Sequence, residues 1–301
     1  RLALLTLASY VALGVAGALL VPEATWLAPS VDETAYRLQG FSGHPNVFAQ
    51  QIGILIALAA AARRAEVIGL SLFLVLLAFA IASILATGSR TTLMAVALAW
   101  AIVALRSRRL LPTVLLAGAI VAAAIVLTAA LGAFSGMDER VAELSRTGTA
   151  SEIFTLTGRT EVWIVVWSLI QERPFLGWGY NGTEDLISGS MHASFTGTAV
   201  NAHNLTLQSL VSLGLLGTLP LLCLIALLIL RFFTTPDASR DQFMIFTFLV
   251  GLGEVAISAS AGLLSLMLFF FLARDAESSW TRRRTAPSEL RPQIRSALPH
   301  T

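Results

Sequence analysis

Asn201-Ala-His203-Asn204-Leu-Thr-Leu-Gln-Ser-Leu210-Val-Ser-Leu-Gly214-Leu-Leu-Gly217 is the point where a long polar segment turns back into an apolar run that continues to Leu230. Residues 205–230 carry no charge. A bilayer core takes about 20 apolar residues as a helix, and it offers no water to satisfy any more irregular backbone. The run therefore predicts a membrane span with His203 at its mouth. On a helix of about 3.6 residues per turn, His203, Leu207, Leu210, Gly214 and Gly217 share one face, the glycines about 16 Å below the imidazole. That is a polar head above a smooth groove, with Pro220 adding a kink beneath.

Seven other segments have comparable character: residues 2–21, 46–62, 67–86, 91–105, 110–131, 242–258 and 262–273. The chain as a whole is 56% hydrophobic and 13% charged over 301 residues, with a mean hydropathy of +0.77. Soluble domains carry about 25% charged residues. The expected fold is all-α: a polytopic transmembrane helical bundle of about eight spans. A single transmembrane domain covers residues 1–273, and a basic, flexible cytoplasmic tail touching anionic lipid covers 274–301. Residues 2–21 are too long for a signal-peptide core and lack its cleavage pattern, so they read as a span. Because the chain opens on Arg1 rather than Met, earlier helices are expected to precede it.

All twenty basic residues are Arg, and their placement sets the topology. Putting the connectors at 63–66, 106–109 and 231–241 and the tail in the cytoplasm leaves only Arg37, Arg90, Arg140, Arg146, Arg159 and Arg173 outside, six against fourteen. The positive-inside rule asks for this asymmetry. It also accounts for the pI near 9.2 without nucleic acid as a partner. Cys223 is the one cysteine, so no intrachain disulfide forms. His203 falls on the extracytoplasmic side.

That side carries residues 22–45, the turn Thr87-Gly-Ser-Arg90 and a long loop over 132–204. A loop of that length in a compact bundle is usually functional. Within it, residues 159–172 place Trp163, Val166, Trp167 and Ile170 on one face of a predicted interfacial helix that Pro174 ends. The glycine-punctuated Pro174-Phe-Leu-Gly177-Trp-Gly179 follows, where backbone approaches a ligand closely.

Four side chains suit chemistry on an anionic substrate. His203 is an imidazole suited to take a proton near neutral pH, or else a solvated residue at a helix start. Arg90 and Arg159 sit where the positive-inside rule disfavours cations, and a guanidinium there grips phosphate bidentately; each is otherwise a solvated helix-end cation. Arg159 opens a helix, where the dipole prefers an anion. Arg37 lies in Arg37-Leu-Gln-Gly40-Phe-Ser-Gly-His44-Pro45-Asn46. His44 reads as shaping the start of the next helix. Glu254 is an intramembrane acid, a functional candidate or a partner for one of the outer arginines. No Asp-x-Asp and no metal-ligand spacing occurs outside, no Walker loop and no Gly-x-Ser-x-Gly is present, so no metal and no cofactor are expected.

His203-Asn204, nine residues and then Gly214-x-x-Gly217 resembles the signature of the O-antigen ligase/polymerase superfamily. Arg37-Leu-x-Gly40 to Pro45-Asn46, Thr87-Gly-Ser-Arg90 and Gly158-Arg159-x3-Trp163 with Pro174-x-x-Gly177-x-Gly179 resemble its supporting motifs in order. The resemblance implies a GT-C-like, metal-independent membrane glycosyltransferase in the bacterial cytoplasmic membrane, working on its outer face. It implies a donor glycan on undecaprenyl pyrophosphate and an acceptor hydroxyl on a glycolipid or other glycan. Carried over, His203 is the general base; Arg90, Arg159, Arg37 and Asn204 bind substrate; Gly214, Gly217, Pro174, Gly177 and Gly179 are structural. The Gly214/Gly217 face accommodates either a neighbouring helix or the prenyl chain. The family usually has more helices than eight. A polymerase of the same superfamily is the alternative; readings from other classes are a transporter of anions or lipid-linked substrates and a non-catalytic scaffold. Transport predicts ionisable residues near the bilayer midplane, which these spans nearly lack.

Overall fold

The computed structural model describes residues 1–29, 36–106, 159–180, 182–190, 201–255 and 262–273. In chain order they form α1 (Leu2–Leu20), α2 (Pro22–Thr25), two short strands β1 (Trp26–Leu27) and β2 (Arg37–Leu38), α3 (Pro45–Arg64), α4 (Leu70–Thr87), α5 (Arg90–Arg106), α6 (Arg159–Glu172), α7 (Thr183–Ser190), α8 (Leu205–Thr234), α9 (Ala238–Gly251) and α10 (Leu263–Ala273). The protein is an all-α, multi-pass membrane protein: α1, α3, α4 and α8 are each long and apolar enough to cross a bilayer. Helices α5, α9 and α10 are shorter: α5 covers the expected span 91–105 with one more residue at each end, α9 is shifted and cut relative to 242–258, and α10 matches 262–273 but for its first residue. The expected span 110–131, the whole of residues 132–158 and the tail lie outside the described residues.

Helix α3 is the axis of the bundle. It packs against α1, α4, α5 and α9, and Phe48, Ile52, Leu55 and Ile56 are almost wholly enclosed. Pro45 starts it, where a missing N–H costs nothing, and His44 Nδ1 accepts from the Asn46 N–H at 3.1 Å as its cap. By contrast α4 exposes Leu72, Leu74, Val75 and Leu85, and α8 exposes Leu219, Leu227, Ile229 and Leu230. Exposed leucines in such numbers suit contact with lipid chains, not water.

The two ends of the bundle differ. At one end the last turns of α3, α5 and α8 meet the start of α9. There Arg64 donates to Gln242 and to Ser239 Oγ, Arg106 pairs with Asp241 and donates to the Phe232 carbonyl, and buried Arg240 pairs with Asp241 at 2.8 Å. At the other end a second apolar cluster, Val162, Val166, Leu169, Ile170, Ile187 and Val211, joins α6, α7 and the start of α8 into a cap.

In residues 22–45, α2 leads into an antiparallel pair in which Trp26 faces Leu38 and Leu27 faces Arg37. Three sequence expectations are corrected here. Helix α6 spans the expected residues, but its buried face is Val162, Val166, Leu169 and Ile170, while Trp167 points outward and Trp163 donates to the Ala202 carbonyl at 2.9 Å. Helix α9 starts four residues early because Asp237 caps Ser239 and Arg240, and it stops at Gly251, which leaves Glu254 in the turn beyond. Lastly, α8 begins at Leu205 with Asn204 as its cap, so His203 is not on the helix at all.

Candidate active site

The backbone of α8 breaks at Gly214, with φ 65° and ψ −172°. That combination is open essentially to glycine alone. The break frees carbonyls above it and amides below it, and the Pro174–Gly179 loop takes both. Trp178 N donates to Val211 O (2.9 Å) and Gly179 N to Ser212 O (2.8 Å), while Leu215 N donates to Pro174 O (2.8 Å) and Leu216 N to Phe175 O (3.2 Å). These four bonds give new partners to the Val211 and Ser212 carbonyls and the Leu215 and Leu216 amides, whose helical partners the break removes. A Cβ on Gly177 would stand 2.6 Å from Gly214 N, and one on Gly217 would stand 2.5 Å from Leu213 Cβ. At Gly214 the face expected to be a smooth groove is therefore filled by the chain's own loop, while Gly217 stays exposed.

Above the break, residues 201–204 form a rigid turn. His203 has φ +44°, a left-handed conformation unusual outside glycine. It is held there from both sides: His203 N donates to Asn201 Oδ1 at 2.9 Å, and Ala202 N to Gln208 Oε1 at 2.8 Å. Gln208 in turn donates to Thr183 Oγ1 and Ser212 Oγ, both at 3.1 Å, tying α7 to α8. Asn204 Oδ1 accepts from Thr206 N and Leu207 N at 3.0 Å, and its Nδ2 donates to Leu252 O at 3.1 Å. Both polar atoms of this amide are thus engaged. The structure gives Asn204 the work of a cap and tie.

Leu252 belongs to the turn that carries Glu254, and Glu254 joins the dispersed polar residues. Its Oε1 accepts from Arg159 Nη2 and from Asn46 Nδ2, each at 2.7 Å, and its Oε2 lies 3.7 Å from His203 Nδ1. Asn46 Oδ1 accepts from Arg37 Nη2 at 2.7 Å, and Arg37 Nε donates to Thr87 O at 3.0 Å. The orientation of the Asn46 amide follows from its neighbours, since a guanidinium only donates and a carboxylate only accepts. Glu254 is 8% exposed. Burial alone would raise its pKa, but His203, Arg159 and His44 together outweigh it and hold the carboxyl below its ordinary value. Arg37 is buried and acts on Asn46 and the end of α4, so its place is behind the surface of the site.

Arg90 stands half-buried at the first turn of α5, after Gly88 closes α4 in the left-handed conformation. A Cβ on Gly253 would lie 2.7 Å from Arg159 Nη1 and 2.9 Å from Thr91 Cγ2, so the Arg159 guanidinium and that same turn both flank Gly253. Segments 37–46, 87–91, 159, 203–204 and 252–254 thus converge at one end of the bundle. Sequence reasoning missed Asn46 as a bridge. It left Glu254 undecided between a functional acid and an arginine partner; the ion pair with Arg159 shows the second.

A family model described as O-antigen ligase matches residues 72–222. The chain belongs to the O-antigen ligase family. A search of curated proteins gives no match. As an O-antigen ligase family member it is a membrane glycosyltransferase of ligase or polymerase type, whose family acts on lipid-linked glycans. The matched stretch holds Arg90, Arg159, His203 and the Gly214/Gly177 junction, and Arg37, Asn46 and Glu254 reach the site from outside it.

Proposed function

We propose that the protein transfers a glycan from undecaprenyl pyrophosphate to an acceptor hydroxyl, without a metal, on the extracytoplasmic face of the bacterial cytoplasmic membrane. The observation that carries this reading is the meeting of one imidazole with Arg159 and the Arg90 turn at a single end of the bundle. His203 takes the proton of the acceptor hydroxyl as its oxygen bonds to the anomeric carbon. The bond from that carbon to the pyrophosphate breaks, and the electron pair leaves on the pyrophosphate oxygen. Arg159 and Arg90 stabilise the charge that develops there, a job for fixed cations in a site of low dielectric. Glu254 anchors Arg159 in this cluster. Arg37 supports it through Asn46.

The His203-Asn204-x9-Gly214-x-x-Gly217 spacing favours a ligase over a polymerase. Reconstitution of the full chain with a prenyl-pyrophosphate-linked oligosaccharide tests both points. One block transferred to a non-prenyl acceptor marks a ligase, a ladder on the prenyl carrier a polymerase. His203→Ala is expected to lose about 10²-fold or more in kcat, with donor binding retained. Arg159→Ala is expected to lose about 10²–10³-fold. Wild-type rates in both variants would remove the catalytic assignment.

A further inference from the structure

We propose that Glu254 is a positioning residue that fixes His203 in the tautomer a base requires, using the free oxygen of the same carboxylate that holds Arg159. Its consequence for rate rests on the transfer reading above; the tautomer does not.

The two oxygens of Glu254 have different neighbours. Oε1 is taken by two donors, Arg159 Nη2 and Asn46 Nδ2, both at 2.7 Å. Oε2 faces His203 Nδ1 at 3.7 Å, and that nitrogen is buried with no hydrogen-bond partner. Closing the gap to a hydrogen bond takes less than about 1 Å. An ionised carboxylate only accepts, so Nδ1 must carry the proton when the two meet, and the lone pair is then on Nε2. The spacing is built into the backbone. Asn204 Nδ2 donates to Leu252 O, two residues before Glu254, and Asn201 holds His203 from the other side. The charged and titratable groups around the carboxylate are Arg159, His203 and His44.

The same geometry fixes what an amide would do in place of the carboxylate. In Glu254→Gln, the position beside Arg159 and Asn46 meets two donors, so the amide oxygen must occupy it. The NH2 then faces His203 Nδ1 and requires that nitrogen to accept. The proton moves to Nε2, and the imidazole presents a donor where the acceptor hydroxyl needs a base. A wrong-tautomer histidine of this kind costs about 10⁴-fold in a serine protease.

The test uses full-length protein in lipid nanodiscs, with histidine labelled at both ring nitrogens and His203→Ala to assign the signals. At a pH where the imidazole is neutral, nitrogen chemical shifts should show His203 protonated on Nδ1 in the wild type and on Nε2 in Glu254→Gln. An unprotonated Nδ1 in the wild type overturns the proposal, and so does an unchanged tautomer in the variant. The wild-type spectrum decides the point even if the variant fails to fold. In the transfer assay, Glu254→Gln should lower kcat about 10²-fold or more, with less change in donor KM. In the His203→Ala background it should add almost nothing. Losses that multiply across the two variants would mean Glu254 does not act through His203. If the wild type transfers no glycan, the functional reading falls while the spectra still decide the pair.

Discussion

At Gly253 a side chain would collide with Arg159 Nη1 and with the Thr91 methyl. The first is the far end of a flexible side chain and moves easily; the second is fixed on the first turn of α5. Gly253→Ala should therefore cost about 1–3 kcal/mol through the Thr91 contact and function as well, because Arg159 escapes by leaving its place beside Glu254. We expect donor affinity to fall in protein that is still folded, measured by lipid-linked donor binding below the melting temperature and thermal unfolding in parallel. Wild-type donor binding would show that Arg159 does not need this position. Single residues were legible in the sequence to the extent that they broke a rule. Arg159 and Arg90 stand against the positive-inside trend, and His203 stands at a fixed distance from two glycines. Asn46 breaks no rule, and its partner Glu254 is 208 residues away in sequence, so nothing local announces the bridge.

Elements were legible where periodicity and punctuation agree. Helix α6 covers the residues its pattern and Pro174 indicate, because capping and termination are local effects. Its buried face is offset from the tryptophan stripe because packing on α7 and α8 decides rotation, and those neighbours are distant in sequence. The break in α8 was not legible at all. Gly-x-x-Gly in an apolar run reads as a contact between helices, whereas here Gly214 opens the backbone to receive Pro174–Gly179. That assignment has a measurable consequence. Gly214→Ala places a Cβ 2.3 Å from the Phe175 carbonyl and forces alanine into a glycine-only conformation. Strain and overpacking together should cost about 3 kcal/mol or more. Gly217→Ala meets only the Leu213 side chain and should cost about 1–3 kcal/mol. Unfolding in detergent measures both, and limited proteolysis at residues 173–180 should speed up for Gly214→Ala first. Equal, mild effects would mean the loop does not depend on the break.

Across the whole molecule, the distribution of arginine predicts an orientation that no single contact carries. The second half of α8, from Leu215 to Thr234, is about 30 Å long, enough for the hydrocarbon core by itself. The Gly214 break and the residues above it then belong at the membrane surface beside the α6–α7 cap, where irregular backbone is supported by protein. The opposite end holds Arg64, Arg106 and Arg240 around Asp241 and Gln242, a cluster that ties α3, α5 and α9 and that the proposed orientation puts in the cytoplasm. This separation predicts an accessibility pattern. In a Cys223→Ser background, Asp185→Cys on the exposed face of α7 should react with a membrane-impermeant maleimide in spheroplasts. Ala65→Cys, in the exposed connector after α3, should react only after permeabilisation. Both positions lie in aqueous segments, so the contrast reports sidedness and not burial. Labelling of Ala65→Cys in sealed cells with protection of Asp185→Cys would invert the bundle, put His203 in the cytoplasm and overturn an outward-facing transfer site.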